Sequence, residues 1–312
     1  RLHCLSVPPN AALSAVRLLG QAGLVERSRI IMEKPFGTDL SSSVLLNAKL
    51  HEVFAEEQIF RIDHFLGKEP AQNVLAFRFA NGLFEPIWNR NVIDHVQIDV
   101  PETLGLGARS GFYEQTGAYR DRVVTHLFQI LRFMAMEPPT SPEPAPISEQ
   151  KNKVFRSMLP IEPRDVVRGQ YTGYRQEEGV GPESDTETFI ALRCSIDNWR
   201  WAGVPFYLRP GMRLDKLGLQ FAMHDTGLLG DVLEACERLI LDAMRGDRTL
   251  FTTAEGIERL WQVSTPLLEA PPPVRFCAPG SWGPNAIHQP VAPRARRSPF
   301  ERAWRAPNTL GR

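Results

Sequence analysis

Two apolar periods alternate along this chain. Residues 2–7 read as a strand, and Leu13, Val16, Leu19 and Leu24 then share one side of a helix over roughly 11–22, with Asn10 placed to cap it. A second strand is predicted at 28–32. Pro35 and Gly37 break the backbone, and Asp39 is placed to cap a second helix with Leu40, Val44, Ala48 and Phe54 inward. A third strand follows at 58–62. Strand, helix, strand, helix, strand predicts parallel α/β pairing, in a stretch too short for a whole doubly wound domain.

The pattern changes after Pro70. A helix is predicted over 71–79. Val96, Ile98 and Val100 alternate with polar residues in a strand over 92–100 that looks half exposed and antiparallel. Residues 112–136 read as one long helix. Five prolines between Pro138 and Pro146 predict a stiff linker. Residues 187–196 and 199–208 read as antiparallel strands turning at Asp197-Asn198. Another strand is predicted at 214–223, with helices at 231–244 and 253–263. Beyond Pro266 the chain is rich in proline and arginine.

Composition narrows the class. Hydrophobic residues at 43% and charged residues at 23% suit a globular protein of one or two domains. The 36 Lys and Arg balance 36 Asp and Glu, so no overall field recruits nucleic acid or a membrane surface. The arginines at 294, 296, 297, 302 and 305 read as a solvated or partner-facing terminus. Four scattered cysteines give neither zinc spacing nor a disulfide framework, and no metal site is expected. No run of apolar residues is long enough to span a bilayer. The chain starts at Arg1 rather than Met and enters a strand at once, so it reads as a fragment or a truncated reading frame.

The densest chemistry is R-I-D-H-F-L-G-K-E at 61–69. Asp63, His64 and Lys68 directly follow a strand, which suits a phosphate-bearing ligand held beside a proton-transfer site. Four further motifs stand beside it, in chain order: I-M-E-K-P-F-G at 31–37, I-D-V-P-E at 98–102, G-A-Y-R-D-R-V-V-T-H-L at 117–127 and E-R-L-I-L-D-A-M at 237–244. Together they closely resemble the glucose-6-phosphate dehydrogenase family, of bacterial type, over most of the chain.

The resemblance implies an α/β remnant of a Rossmann-type coenzyme domain over 1–63. An α+β substrate and dimerisation domain with a large, mainly antiparallel sheet would follow over 64–312. It implies oxidation of D-glucose 6-phosphate at C1 with hydride transfer to NADP, at the entry to the pentose phosphate pathway, in the cytoplasm. A homo-oligomer, dimer or tetramer, is also implied. His126 matches the histidine that takes the C1 hydroxyl proton, and its type suits a base near neutral pH. Asp63 matches the carboxylate that fixes the tautomer and stabilises the imidazolium.

By the same resemblance, His64 and Lys68 would anchor the phosphate, with Phe65 in place of a common tyrosine. Glu102 and Asp121 would accept from sugar hydroxyls. Asp121 and His126 are five apart, about 140° around an α-helix, so spacing alone does not put them on one face. Lys34 matches a lysine between nicotinamide and substrate, with Glu33 placed to orient it.

Parts of the family pattern are missing. No glycine-rich strand–turn–helix for the dinucleotide phosphates occurs. The run from Gly105 to Gly111 follows an alternating strand rather than a continuous apolar one and is rejected for that role. After Arg209, a Thr-Gly-Lys-Arg-like segment is expected, but Pro210-Gly211-Met212 follows, so an internal deletion near 209–210 is inferred. Three readings stay open: a working dehydrogenase, an inactive sugar-phosphate-binding remnant or partner-dependent fragment, and a product with no stable fold.

Overall fold

The computed structural model describes residues 1–7, 9–102, 109–212 and 234–288. The strand expected at 214–223, the glycines at 105 and 107 and the arginines from Arg294 onward lie outside them. Among the described residues, no helix is long and apolar enough to cross a membrane.

Strands β1 (Leu2–Leu5), β2 (Arg29–Met32) and β3 (Ile59–Arg61) form a parallel sheet in that order. Helices α1 (Pro9–Gln21) and α2 (Leu40–His51) make the crossovers that parallel pairing requires. These elements follow the apolar pattern, and Asp39 caps α2 by accepting from Ser42 N at 2.8 Å. Two details differ. Helix α1 already begins at Pro9, so Asn10 lies inside its first turn. On α2, Val44 and Ala48 face solvent, while Ser43, Asn47 and Leu50 are buried. The polar residue is drawn inward by partners: Asn47 accepts from Arg61 at 2.8 Å and donates to Glu258 at 2.8 Å.

The second sheet is built from β4 (Val96–Pro101), β5 (Val166–Tyr171), β6 (Phe189–Ser195), β7 (Pro205–Gly211) and β8 (Val274–Cys277). Its order is β4-β7-β6-β5-β8. Pairs β5–β6 and β6–β7 are antiparallel, whereas β4–β7 and β5–β8 are parallel. The described sheet is therefore mixed rather than mainly antiparallel, because long helical connections return both outer strands in the parallel sense. The alternation in β4 is real, with Val96, Ile98 and Val100 buried. It reflects an edge strand covered on one face, not antiparallel pairing.

Three other expectations shift. The strand expected at 199–208 begins only at Pro205, because Trp201 turns into the core and donates to Ala135 O at 2.7 Å. The proline-rich linker ends early: α7 (Pro144–Ser157) starts on Pro144, in the first turn, where proline costs no hydrogen bond. Helix α9 runs Ala254–Glu269, capped by Thr253, and continues past Pro266.

The helix expected over 112–136 is three segments. Helix α5 (Ser110–Ala118) bends at Gly117, a π-helical stretch covers Tyr119–Leu127, and α6 (Phe128–Ala135) completes it. Every residue of α6 is buried, which places this rod at the centre of the core. Gly117 adopts φ 62° and ψ −178°, a region almost restricted to glycine. The bend lets Glu187 cap the rod: its Oε1 accepts from Tyr119 N at 3.0 Å while Arg168 holds its Oε2 at 2.9 Å. A Cβ on Gly117 would lie 2.6 Å from Glu187 Oε1. Gly117→Ala is therefore expected to lower stability by about 2 kcal/mol, read as a lower urea midpoint at unchanged slope.

Candidate active site

Residues from both sheets converge on one buried pair. Strand β3 ends at Arg61, and Ile62 N still bonds Met32 O at 2.9 Å, so the chain leaves the sheet in register. Asp63 then caps the short helix α3 (His64–Gly67), its Oδ1 accepting from Phe65 N at 3.0 Å. The same Oδ1 accepts from His126 Nδ1 at 2.6 Å. Phe65 stacks on the His126 imidazole, 4.2 Å between centroids and 19° between planes. The ring is thus held at an edge and a face.

The other imidazole nitrogen meets Lys34. Lys34 Nζ lies 3.1 Å from His126 Nε2 and 2.7 Å from Asp121 Oδ1. An ammonium can only donate, so Nε2 accepts and Nδ1 carries the proton given to Asp63; the tautomer follows from the network. Asp121 and His126 reach the same lysine because the segment between them is π-helical, with Phe128 N bonding Val123 O. Bonding from i to i+5 widens the turn and brings residues five apart nearly into line.

Arg122 extends the network. It donates to Asp121 Oδ2 at 3.0 Å and forms a two-pronged ion pair with Glu102. Glu102 is itself placed by its N–H on Gly211 O at 2.8 Å, at the end of β7. His64 lies edge-on to His126 at 4.9 Å, and Lys68 Nζ sits 4.2 Å over the Phe65 ring.

The charges set one another. Burial alone would raise the Asp63 carboxyl, but His126 and the Phe65 N–H bring it below the ordinary carboxylate value. Asp121 is likewise lowered despite burial, mainly by Lys34 and then Arg122. Glu33 is raised by burial, which Lys34 only partly offsets. His64 is pushed down to about 4 by burial, then by His126, Lys34 and Lys68, against the pull of Asp63.

Asp63, His64 and His126 each offer a ligand atom within 4.8 Å of the others. The 2.6 Å bond spends two of these side chains on each other, so the group is a His–Asp pair with a neighbouring histidine. Beside Lys34, a hollow of about 200 Å³ opens at the C-terminal ends of β1 and β2, lined by Leu5, Val7, Met32, Thr38 and Ser42 among others. Such a crevice at parallel strand ends suits the apolar ring end of a dinucleotide.

All seven residues singled out in the sequence (Lys34, Asp63, His64, Lys68, Glu102, Asp121, His126) gather within this network. Sequence reasoning missed Arg122, which links Asp121 to Glu102; its signal was a charge inside an otherwise buried helical run. It also missed Arg132, a charged residue of α6 with no exposed surface.

The comparisons with known proteins are consistent along the chain. Residues 1–73 match the model of the glucose-6-phosphate dehydrogenase NAD binding domain. Residues 75–224 and 212–305 match the model of the glucose-6-phosphate dehydrogenase C-terminal domain, in two overlapping pieces. A glucose-6-phosphate 1-dehydrogenase from Aggregatibacter actinomycetemcomitans is 36% identical over 382 residues, covering 99% of this chain and 76% of the relative. A crystal structure of glucose-6-phosphate 1-dehydrogenase from Mycobacterium avium superposes with a TM-score of 0.87 at 36% identity, over 96% of this chain and 77% of that one. A glucose-6-phosphate dehydrogenase in complex with its substrate glucose-6-phosphate superposes with a TM-score of 0.86 at 29% identity, over 96% and 76%.

A pH prediction follows from His64. In the unfolded chain it binds a proton below about pH 6.5, while in the folded chain it does so only near pH 4. Between those values the unfolded state holds more protons, so stability falls as pH falls through the window. His64→Gln is expected to flatten the drop in melting temperature between pH 6.5 and 4, followed by circular dichroism. An equally steep drop in the variant would refute the assignment.

Proposed function

Because the chain belongs to the glucose-6-phosphate dehydrogenase family, we propose that it oxidises D-glucose 6-phosphate to 6-phospho-D-glucono-1,5-lactone, with His126 as the base. The observation that carries this reading is the buried His126–Asp63 bond of 2.6 Å, with Nε2 of the same imidazole accepting from Lys34, which also donates to Asp121. An Nδ1–H donated to a carboxylate leaves Nε2 as the proton acceptor and stabilises the imidazolium that forms.

The C1 hydroxyl gives its proton to Nε2. Asp121 and Glu102 accept from sugar hydroxyls, with Arg122 holding both carboxylates in place. His64 and Lys68 receive the phosphate. A neutral His64 in the free site donates its ring N–H to the phosphate, while Lys68 supplies the charge. Lys34 keeps Nε2 in line until substrate arrives and then lies between sugar and coenzyme. NADP, when bound, accepts the hydride from C1. The hollow beside Lys34 would hold its nicotinamide end, and the preference for NADP over NAD rests on the family alone.

The division between coenzyme and substrate domains is placed at 63/64, so that Asp63 closes one and the phosphate anchors open the other. Work in the cytoplasm at the first step of the pentose phosphate pathway follows from the same family reading, as does assembly into a homo-oligomer. A molar mass of two or four chains by light scattering would bear out that assembly.

One observation favours the rival, a sugar-phosphate-binding remnant. The C-terminal family model matches in two pieces that overlap at 212–224, and the alignment with the A. actinomycetemcomitans relative is longer than this chain. Both support the internal deletion inferred near 209–210.

The test is formation of NADPH from glucose 6-phosphate and NADP by the purified chain, beside an intact family member. Turnover is expected, and His126→Asn should reduce it by about 10²–10⁴-fold while leaving sugar-phosphate binding unchanged. Lys68→Ala should weaken that binding about tenfold or more, the loss of a charged hydrogen bond. Binding without turnover in folded protein would select the remnant; unchanged turnover in His126→Asn would remove the base assignment.

A further inference from the structure

Two groups of opposite charge lie unfinished beneath the His126–Asp63 pair. Asp63 Oδ1 accepts twice, from His126 and Phe65, yet its buried Oδ2 has no partner among the described residues. Arg132, with no exposed surface, uses only Nη2, donating to Thr252 Oγ1 at 3.0 Å; its Nε and Nη1 are buried and without a partner. A buried guanidinium is costly unless a counter-charge acts on it.

Two independent connections put this guanidinium under the site. It stands six residues beyond His126 on the same central rod. Its partner Thr252 forms a β-bridge with Arg61, two residues before Asp63. Thr252 is fixed in turn by donating to Gln129 at 2.9 Å, and Phe251 packs edge-on against Phe60 of β3 at 4.8 Å. The negative charge that acts on Arg132 is Asp63. Phe133 and Phe155 lie 5.6 and 5.4 Å from the guanidinium carbon and soften its burial. Burial lowers its pKa to about 9, which leaves it charged at neutral pH.

Resting on the reading of His126 as base, we propose that Arg132 is a positioning residue acting through Asp63. Its buried charge keeps the carboxylate ionised and aimed at His126 Nδ1, and disfavours a standing imidazolium, so that Nε2 is ready to accept a proton. The other charges facing the pair are Lys34 and Glu33 from the end of β2, His64 from α3 and Asp121 from the π-helical stretch. Lys151 of α7 neighbours Arg132 but donates to Thr249 O at 2.5 Å and Phe251 O at 3.0 Å, away from the pair.

The test needs no turnover. In the full chain, labelled at its seven histidines, the titration of the Asp63–His126 pair is followed by NMR through the His126 imidazole, assigned with His126→Asn. Arg132→Met removes the charge and keeps the bulk. The pair's midpoint is expected to rise by about one pH unit, because the proton is no longer repelled. Lys151→Met, an equally buried change next door, is expected to leave it in place.

An unmoved midpoint in folded Arg132→Met would overturn the proposal, as would an equal shift in Lys151→Met. If Arg132→Met does not fold, Arg132→Gln is neutral, can still reach Thr252, and is read the same way. Loss or retention of turnover in His126→Asn decides the base assignment separately, so failure of that reading and failure of this one are distinguishable.

Discussion

The buried hydrogen bond between His126 and Asp63 is the constraint on which the site depends. Its two ends come from different layers. Asp63 is delivered by the last parallel strand and the cap of α3, and His126 by the central rod that carries the second sheet. A 2.6 Å contact between them leaves little freedom for one layer to slide over the other. Lys34 repeats the same crossing, leaving β2 to reach both Asp121 and His126. Lys34, Asp63, Asp121 and His126 thus fasten the layers together as well as meeting at the site. Changes there act on packing and chemistry together, and a double-mutant cycle is needed to apportion them.

The rod pays for this geometry in local irregularity. An ideal α-helix would point Asp121 and His126 in different directions. The π-helical turn corrects that, and the bend at Gly117 sets where it begins. Glu187 holds the bend, Arg168 holds Glu187, and both belong to the second sheet region. The spacing of two site residues is therefore set by an ion pair well outside the site. This is why the Gly117→Ala prediction concerns stability first, although its effect would reach the Asp121–His126 alignment.

Much of this was legible in the residues, for reasons that can be named. Strands β2 and β3 carry short continuous apolar runs, Ile30–Met32 and Ile59–Phe60, and the Asp39 cap carries its own signal in Ser42. The site residues stood inside five ordered motifs. What escaped depended on tertiary context. Residue spacing read on α-helical geometry could not show the π-turn. The chain's own prolines hid α7, since Pro144 starts a helix as readily as it ends a linker. Trp201 delayed β7 because the core needed its ring. Val44 and Ala48 lost the inner face of α2 to Ser43 and Asn47, and the partners of Asn47, Arg61 and Glu258, come from distant positions. Arg132 looked like any charge on a helix, and only its burial makes it informative.

The electrostatic pieces also separate two questions that the family name merges. The proposed acceptance of the C1 proton by His126 depends on Asp63, Lys34 and Asp121, which are hydrogen-bonded into one network with it. Holding the dinucleotide is a separate demand, and on the proposed reading the hollow beside Lys34 would serve its nicotinamide end. The two demands load different elements: the first falls on the rod and β3, the second on the ends of β1 and β2. On the proposed role of Arg132, the acid–base pair stays tuned whether or not coenzyme is bound, because Asp63 and Arg132 both belong to the folded chain. The titration of the pair is accordingly a property of the folded chain itself, and turnover is a property of that chain together with its bound coenzyme and substrate.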